Sequence, residues 1–197
     1  MTDISQKWLD GLYVLGPFTR NYSLQLHASE IARLLHLPQK TCARYLDNAA
    51  KINLLQFVRV GRNKYFSLDL SHSATFSLLV MMESYKELSF YRRYPIVASI
   101  LQELSKEHSV ILFGSYAKGL AKHDSDVDLV IIGKKSAKFN SLAAKYPLEV
   151  NIHYVTVALL EKRLKEGQAL AKEIMKDHIL FGEKEKIIKM FKDYSKQ

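Results

Sequence analysis

The chain is poor in cysteine and proline. Of its 197 residues one is cysteine, Cys42, and four are proline. A single thiol excludes a disulfide framework and a cysteine-rich zinc site, and it suits a reducing compartment. Long apolar runs are missing too; the longest extend over a few residues, well short of the roughly 20 that a membrane-spanning helix needs. The opening Met1-Thr2-Asp3-Ile4-Ser5-Gln6 has no basic start followed by an apolar stretch, so no secretion signal is expected. Together these absences predict a cytoplasmic protein without a membrane partner. Internal repeats and low-complexity tracts are absent as well.

What is present is an ordinary globular balance. Hydrophobic residues make up 48% and charged residues 25%, enough to bury a core in one domain or two small ones. Lys and Arg outnumber Asp and Glu by 29 to 20, for a net charge of +9. That sign favours polyanions, nucleic acid or nucleotide phosphates, although the excess is spread along the chain rather than concentrated.

The apolar spacing predicts a first helix from Ile4 to Leu15, with Ile4, Trp8, Leu12 and Leu15 on one face and Gly16-Pro17 ending it. Ser29 to Leu35 reads as a short second helix. A third runs from Pro38 to Ala50, with Pro in its first turn and Cys42, Tyr45, Leu46 and Ala49 inward. Leu54 to Val60 and Lys64 to Leu68 read as strands around a Gly61-Arg62-Asn63 tip. Ser71 to Tyr94 reads as one long helix, and Pro95 opens another with Ile96, Val97, Ile100, Leu101 and Leu104 inward. The pattern then changes. Ser109 to Phe113 and Val127 to Ile132 are short β-branched runs of the kind that form buried strands. Leu148 to Val155 alternates, with Leu148, Val150 and Ile152 on one face and Glu149, Asn151 and His153 on the other. Helices follow, with a short strand near His178 to Phe181.

The stretch from Val110 to Ile132 carries the chemistry. A strand ends in Gly114-Ser115, ten residues intervene, and a second strand opens on Asp126-Val127-Asp128. Two residues apart on a strand, Asp126 and Asp128 point to the same face. Carboxylates so placed repel each other unless a cation lies between them. Mg²⁺ suits such a pair, since it takes one or two carboxylates plus substrate phosphates. Gly114 permits close backbone approach, and Ser115 opens a short helix whose hydroxyl and N–H groups suit a phosphate. A lone Asp-x-Asp is usually a solvated strand end; here the strand, the Gly-Ser turn and the spacing occur together.

This combination, with Gly-Ser-Tyr-Ala-Lys-Gly and Ser-Asp-Val-Asp-Leu as its local wording, resembles the signature of the DNA polymerase β nucleotidyltransferase superfamily. It looks most like the minimal nucleotidyltransferases (MNT), over roughly residues 95–182. The resemblance implies two-metal nucleotidyl transfer, with two Mg²⁺ ions and ATP or another NTP as substrate. Asp126 and Asp128 would hold the ions. A third carboxylate is implied on the next strand, and Glu149 is its candidate, with Asn151 and His153 as supporting groups. Gly114 and Ser115 would hold the β- and γ-phosphates. Lys118 would reach the triphosphate, and Tyr116 would pack beside the nucleotide.

Ahead of this, Ser29 to Leu35, Pro38 to Leu46, Leu54-Leu55 and Gly61 to Phe66 resemble a winged helix-turn-helix. Burying Cys42, Tyr45 and Leu46 leaves Gln39, Lys40, Ala43, Arg44 and Asp47 exposed, a face suited to a major groove. Arg62, Asn63 and Lys64 at the wing suit phosphates or a minor groove. Such modules also mediate protein contacts or a homodimer. The expected fold class is α+β: a winged helix-turn-helix domain over 1–71, a linker helix over 72–94, and over 95–197 a polymerase β-like domain with a mixed sheet flanked by helices.

The leading expectation is therefore an Mg²⁺-dependent transferase that moves AMP from ATP to a hydroxyl acceptor. MNT resemblance makes a HEPN-type toxin partner one such acceptor, with DNA bound through the winged helix. The competing expectation is a transcriptional regulator whose transferase domain only binds nucleotide or a partner.

Overall fold

The computed structural model describes residues 4–134 and 148–196. Residues 1–3, part of the stretch inspected for a leader, lie outside them. The chain forms two units, residues 1–85 with 191–197, and residues 86–190.

In the first unit, α1 (Ile4–Leu15) runs into a 3₁₀ turn (Gly16–Arg20) with Pro17 in its first turn. Strand β1 (Leu26–His27) leads into α2 (Ala28–Leu35) and α3 (Gln39–Lys51). The start of α2 is capped reciprocally. Ser29 N–H donates to His27 Nδ1 at 3.2 Å, and His27 N–H donates to Glu30 Oε2 at 2.6 Å. Such a cap contributes about 1 kcal/mol by pairing N–H groups that the first turn leaves over. Pro38 stands just before α3 rather than in its first turn, and Cys42, Leu46 and Ala49 are buried. Burial pushes the Cys42 thiol above its ordinary pKa, which makes it a core residue rather than a nucleophile.

Strands β2 (Leu55–Val60) and β3 (Asn63–Leu68) form an antiparallel hairpin in which Val60 pairs Asn63. Gly61, at φ +60°, takes the first place of the two-residue turn, a place closed to most side chains. Strand β1 pairs the other edge of β3, giving the order β1-β3-β2. Leu55, Phe66 and Leu68 are buried. One expectation fails here: Trp8 is 62% exposed, while Val14 and Leu15 are buried. The helix therefore turns the end near the 3₁₀ turn inward rather than the whole predicted stripe.

Helix α4 (Ser73–Arg93) carries the division between the units, at residues 85 and 86. The second unit holds α5 (Pro95–Ser105), β4 (Ser109–Phe113), the four-residue α6 (Gly114–Ala117), β5 (Val127–Ile132) and β6 (Val150–Val155). It continues with α7 (Val157–Lys165), α8 (Ala169–Lys176) and β7 (Ile179–Phe181), and α9 (Glu185–Tyr194) follows. The sheet is mixed, in the order β6-β5-β4-β7. Strands β5 and β6 run parallel, and β4 runs antiparallel to both β5 and β7.

Alternation along the strands divides the core. Val110, Leu112, Val127, Leu129, Ile131 and Phe181 pack with Val97, Ile100, Leu101 and Leu104 of α5, whereas Ile96, expected inward, is exposed in the first turn of that helix. Phe90 makes edge contacts with Phe181 at 5.6 Å and Tyr116 at 6.5 Å, an arrangement that stabilises aromatic pairs by about 1 kcal/mol each. Ile111, Phe113, Val130 and Leu180, on the opposite face, are buried as well. Helix α8 packs on β4, and Leu160, Leu164, Ile174 and Met175 of α7 and α8 are buried. No helix of the described residues is long and apolar enough to cross a membrane.

Candidate active site

The site grows from a single rung of the sheet. Phe113, the last residue of β4, pairs with Asp128 of β5, and Asp128 pairs with Asn151 of β6. Residues paired across a sheet share a face, so Asp128, Asn151 and the end of β4 are side by side. Immediately after Phe113 the chain turns at Gly114, with φ +72°. A Cβ on Gly114 would overlap Asp128 Oδ2, with Asp128 Cγ at 3.1 Å. Glycine is required there twice, for the left-handed backbone and for the room the carboxylate occupies. The Gly-Ser bend and the second Asp of the pair are thus in direct contact.

Asp126 lies just before β5, two residues from Asp128 and on the same side, and both side chains are half-buried. The loop that delivers Asp126 is pinned at two points. Lys122 N–H donates to Ser125 Oγ at 2.8 Å, and the Arg93 guanidinium donates to Gly119 O at 2.9 Å. Glu149 lies one residue before β6, where its carbonyl accepts from Val127 N–H at 2.8 Å. Extending the register by one residue sets Glu149 beside Asp126, with its side chain exposed. Among the described residues, no three His, Cys, Asp or Glu side chains are gathered as a group able to hold a metal ion. Asp126 and Asp128 alone, completed by substrate phosphates, still match the donor set of a hard divalent ion.

Ser115 is half-buried in the first turn of α6, whose N–H groups have no partner within the helix. Lys118 follows that helix. Its Nζ lies 2.7 Å from Glu173 Oε1 of α8. The hydrogen bond to Glu173 raises the Lys118 pKa most, with further help from that charge and those of Asp177 and Asp128. Lys118 is therefore near Asp128, but its charge is already engaged. Tyr116 is buried and stacks edge-on against Tyr94 at 5.1 Å, so it belongs to the core rather than to an open nucleotide surface. His153 is exposed, with its ring 6.0 Å from that of Phe113.

Sequence reasoning missed Glu173 as the partner of Lys118, for nothing local links residues 55 apart. It grouped Asn151 with the supporting residues but did not foresee its bond: Asn151 Nδ2 donates to Asp128 Oδ1 at 3.2 Å.

In the first unit, Gln39, Lys40 and Arg44 are exposed on α3, and Arg62 is exposed at the hairpin tip. Lys64 is less available. Its Nζ lies 2.6 Å from Asp47 Oδ1 and sits over the Phe57 ring at 4.8 Å.

Two half-buried carboxylates thus lie at the start of β5, and one of them, Asp128, is against the Gly114 bend. The chain matches the nucleotidyltransferase domain family over residues 95–194, just over half its length, and belongs to that family. The domain implies transfer of a nucleotidyl group from a nucleoside triphosphate, usually with a divalent metal. No curated relative and no solved structure matches the chain.

Proposed function

We propose that the protein is a minimal nucleotidyltransferase that transfers AMP from ATP, with Mg²⁺, to a hydroxyl on a partner protein of the HEPN toxin type. The observation that carries the transferase reading is the contact of Asp128 with the Gly114 bend, beside Asp126 on the same face. Asp126 and Asp128 would hold the metal, whose charge would offset that of the triphosphate and make the α-phosphorus more electrophilic. Gly114 and Ser115 bind the β- and γ-phosphates through backbone N–H groups and the Ser115 hydroxyl, and Lys118 adds positive charge. Glu149 takes the proton of the acceptor hydroxyl. The acceptor oxygen bonds to the α-phosphorus as the bond from that phosphorus to the bridging oxygen breaks, and pyrophosphate leaves. In the same reading the first unit is a winged helix. It contacts DNA through Gln39, Lys40 and Arg44, with Arg62 and Lys64 at the hairpin, in a cytoplasmic protein able to form a homodimer.

The test is label transfer from α-labelled ATP to a co-expressed partner. Asp126→Asn and Asp128→Asn should each lower it at least about a hundredfold while the fold persists. Equal transfer by both variants would overturn the reading. A second reading, a DNA-binding regulator that binds nucleotide without turnover, is favoured by two features. Lys118 is held by Glu173, and α3 exposes a polar and basic face. Salt-dependent DNA binding, lost in a Gln39/Lys40/Arg44 triple alanine variant, with no label transferred at all, would decide for it.

A further inference from the structure

The rung that carries Asp128 has an unequal pair of neighbours. On one side is Phe113, the residue before Gly114. On the other is Asn151, neutral where the neighbouring positions Asp126, Asp128 and Glu149 are acidic. The amide nitrogen of Asn151 donates to Oδ1 of Asp128, while Oδ2 of the same carboxylate lies against Gly114. The two oxygens therefore have different surroundings, one hydrogen-bonded and one against the bend. A carboxylate only accepts hydrogen bonds, so the Asn151 side chain must present its NH₂. Its short stem rises from a backbone locked into the parallel β5–β6 ladder, so the sheet itself sets where the donor stands.

We propose that Asn151 is the positioning residue of this site, holding Asp128 by Oδ1 so that Oδ2 faces the Gly114 bend. This deepens the nucleotidyl-transfer reading and rests on it. An amide suits the position better than another carboxylate would in the metal-free protein. An acidic residue at 151 would set a negative charge directly abreast of Asp128 with no proton to share, and like charges opposite one another destabilise a sheet. An apolar residue would leave Oδ1 to water and let the carboxylate rotate. The acidic residue costs the metal-free fold, whereas the apolar one costs cation binding before any nucleotide arrives.

The experiment uses the full chain and Mn²⁺ alone as the probe, with binding read from water proton relaxation and folding from thermal melts in EDTA. The wild type should bind Mn²⁺, and the Asp126→Asn/Asp128→Asn double variant should not. Asn151→Ala should keep the wild-type melting temperature in EDTA yet bind Mn²⁺ roughly three- to tenfold more weakly, as befits one long, exposed hydrogen bond to a charged group. In label transfer its rate at saturating Mn²⁺ should approach the wild-type rate, the defect appearing in the Mn²⁺ concentration required. Asn151→Asp should melt lower than wild type in EDTA and recover on adding Mn²⁺, with affinity at least equal to wild type. If the wild type binds Mn²⁺ and Asn151→Ala binds it equally well, Asn151 has no positioning role, and this inference alone fails. If wild type and the double aspartate variant are alike in failing to bind Mn²⁺, the nucleotidyl-transfer reading fails, and the role of Asn151 with it.

Discussion

Lys118 and Glu173 are joined at 2.7 Å, tying the turn after the Gly-Ser bend to helix α8. Lys118 was the cation the sequence offered to a triphosphate. In the structure it already has a counter-charge, and both side chains keep more than a third of their exposure or close to it, at 34% and 42%. An ion pair so exposed contributes less than about 1 kcal/mol to folding. In the proposed reading a triphosphate, with far more negative charge, would displace Glu173.

Glu173→Gln should therefore tighten nucleotide binding several-fold, because Lys118 no longer has to exchange partners. Titration calorimetry with a non-hydrolysable ATP analogue measures it. The melting temperature should hardly change. Weaker binding would mean that Glu173 steers Lys118 toward the ligand instead of competing for it.

Gly114→Ala should damage both site and fold. A left-handed backbone costs an L-residue roughly 1–2 kcal/mol, and the new methyl group would also push Asp128 Oδ2 aside. The expected result is a lower melting temperature together with a transfer rate near that of Asp128→Asn. An alanine variant that melts lower but keeps its activity would show that the contact between bend and carboxylate serves packing alone.

Alkaline stability should depend on Tyr91. Its phenol donates to Glu87 Oε1 at 3.0 Å and stacks edge-on against Phe181 at 5.9 Å. Glu87 in turn pairs with Lys184. Burial, then the Glu87 charge and that hydrogen bond, push the Tyr91 pKa up to about 12. Between the ordinary phenol value near 10 and 12, the unfolded chain loses this proton and the folded chain keeps it. The stabilisation is thus complete below about pH 10 and is lost as the pH climbs toward about 12. Urea midpoints at pH 9 and pH 11 should fall further in the wild type than in Tyr91→Phe. Equal falls would place the alkaline sensitivity elsewhere.

Much of the second unit was legible in the sequence. The runs Ser109 to Phe113 and Val127 to Ile132 are short, mostly apolar and rich in Val and Ile, the pattern of a strand buried on both faces, with Asp128 the exception in the second. Gly114 could be read as a turn because a strand ended there. The alternation from Leu148 to Val155 likewise fixed which side chains share a face with Glu149. Lateral relations were not legible. That Asn151, rather than Glu149, is abreast of Asp128 depends on a register set by hydrogen bonds between β5 and β6, and single-strand periodicity carries no register. Lys118 and Glu173 meet only because α8 packs on β4. In the first unit, helical periodicity gave α3 its buried Cys42 and Leu46 but misjudged Trp8. A stripe shows which residues could face inward, not how far along the helix the neighbours reach. The two-residue β1 is too short to leave a pattern.

The position of Asp128 on an interior strand has a consequence for heat. Many sites hang on loops that loosen while the body of the protein is still intact, so their function fades early. Here the acidic side chain is a rung of the ladder between β4 and β6, and it cannot wander until those strands separate. Loss of chemistry and loss of structure on warming should therefore arrive together.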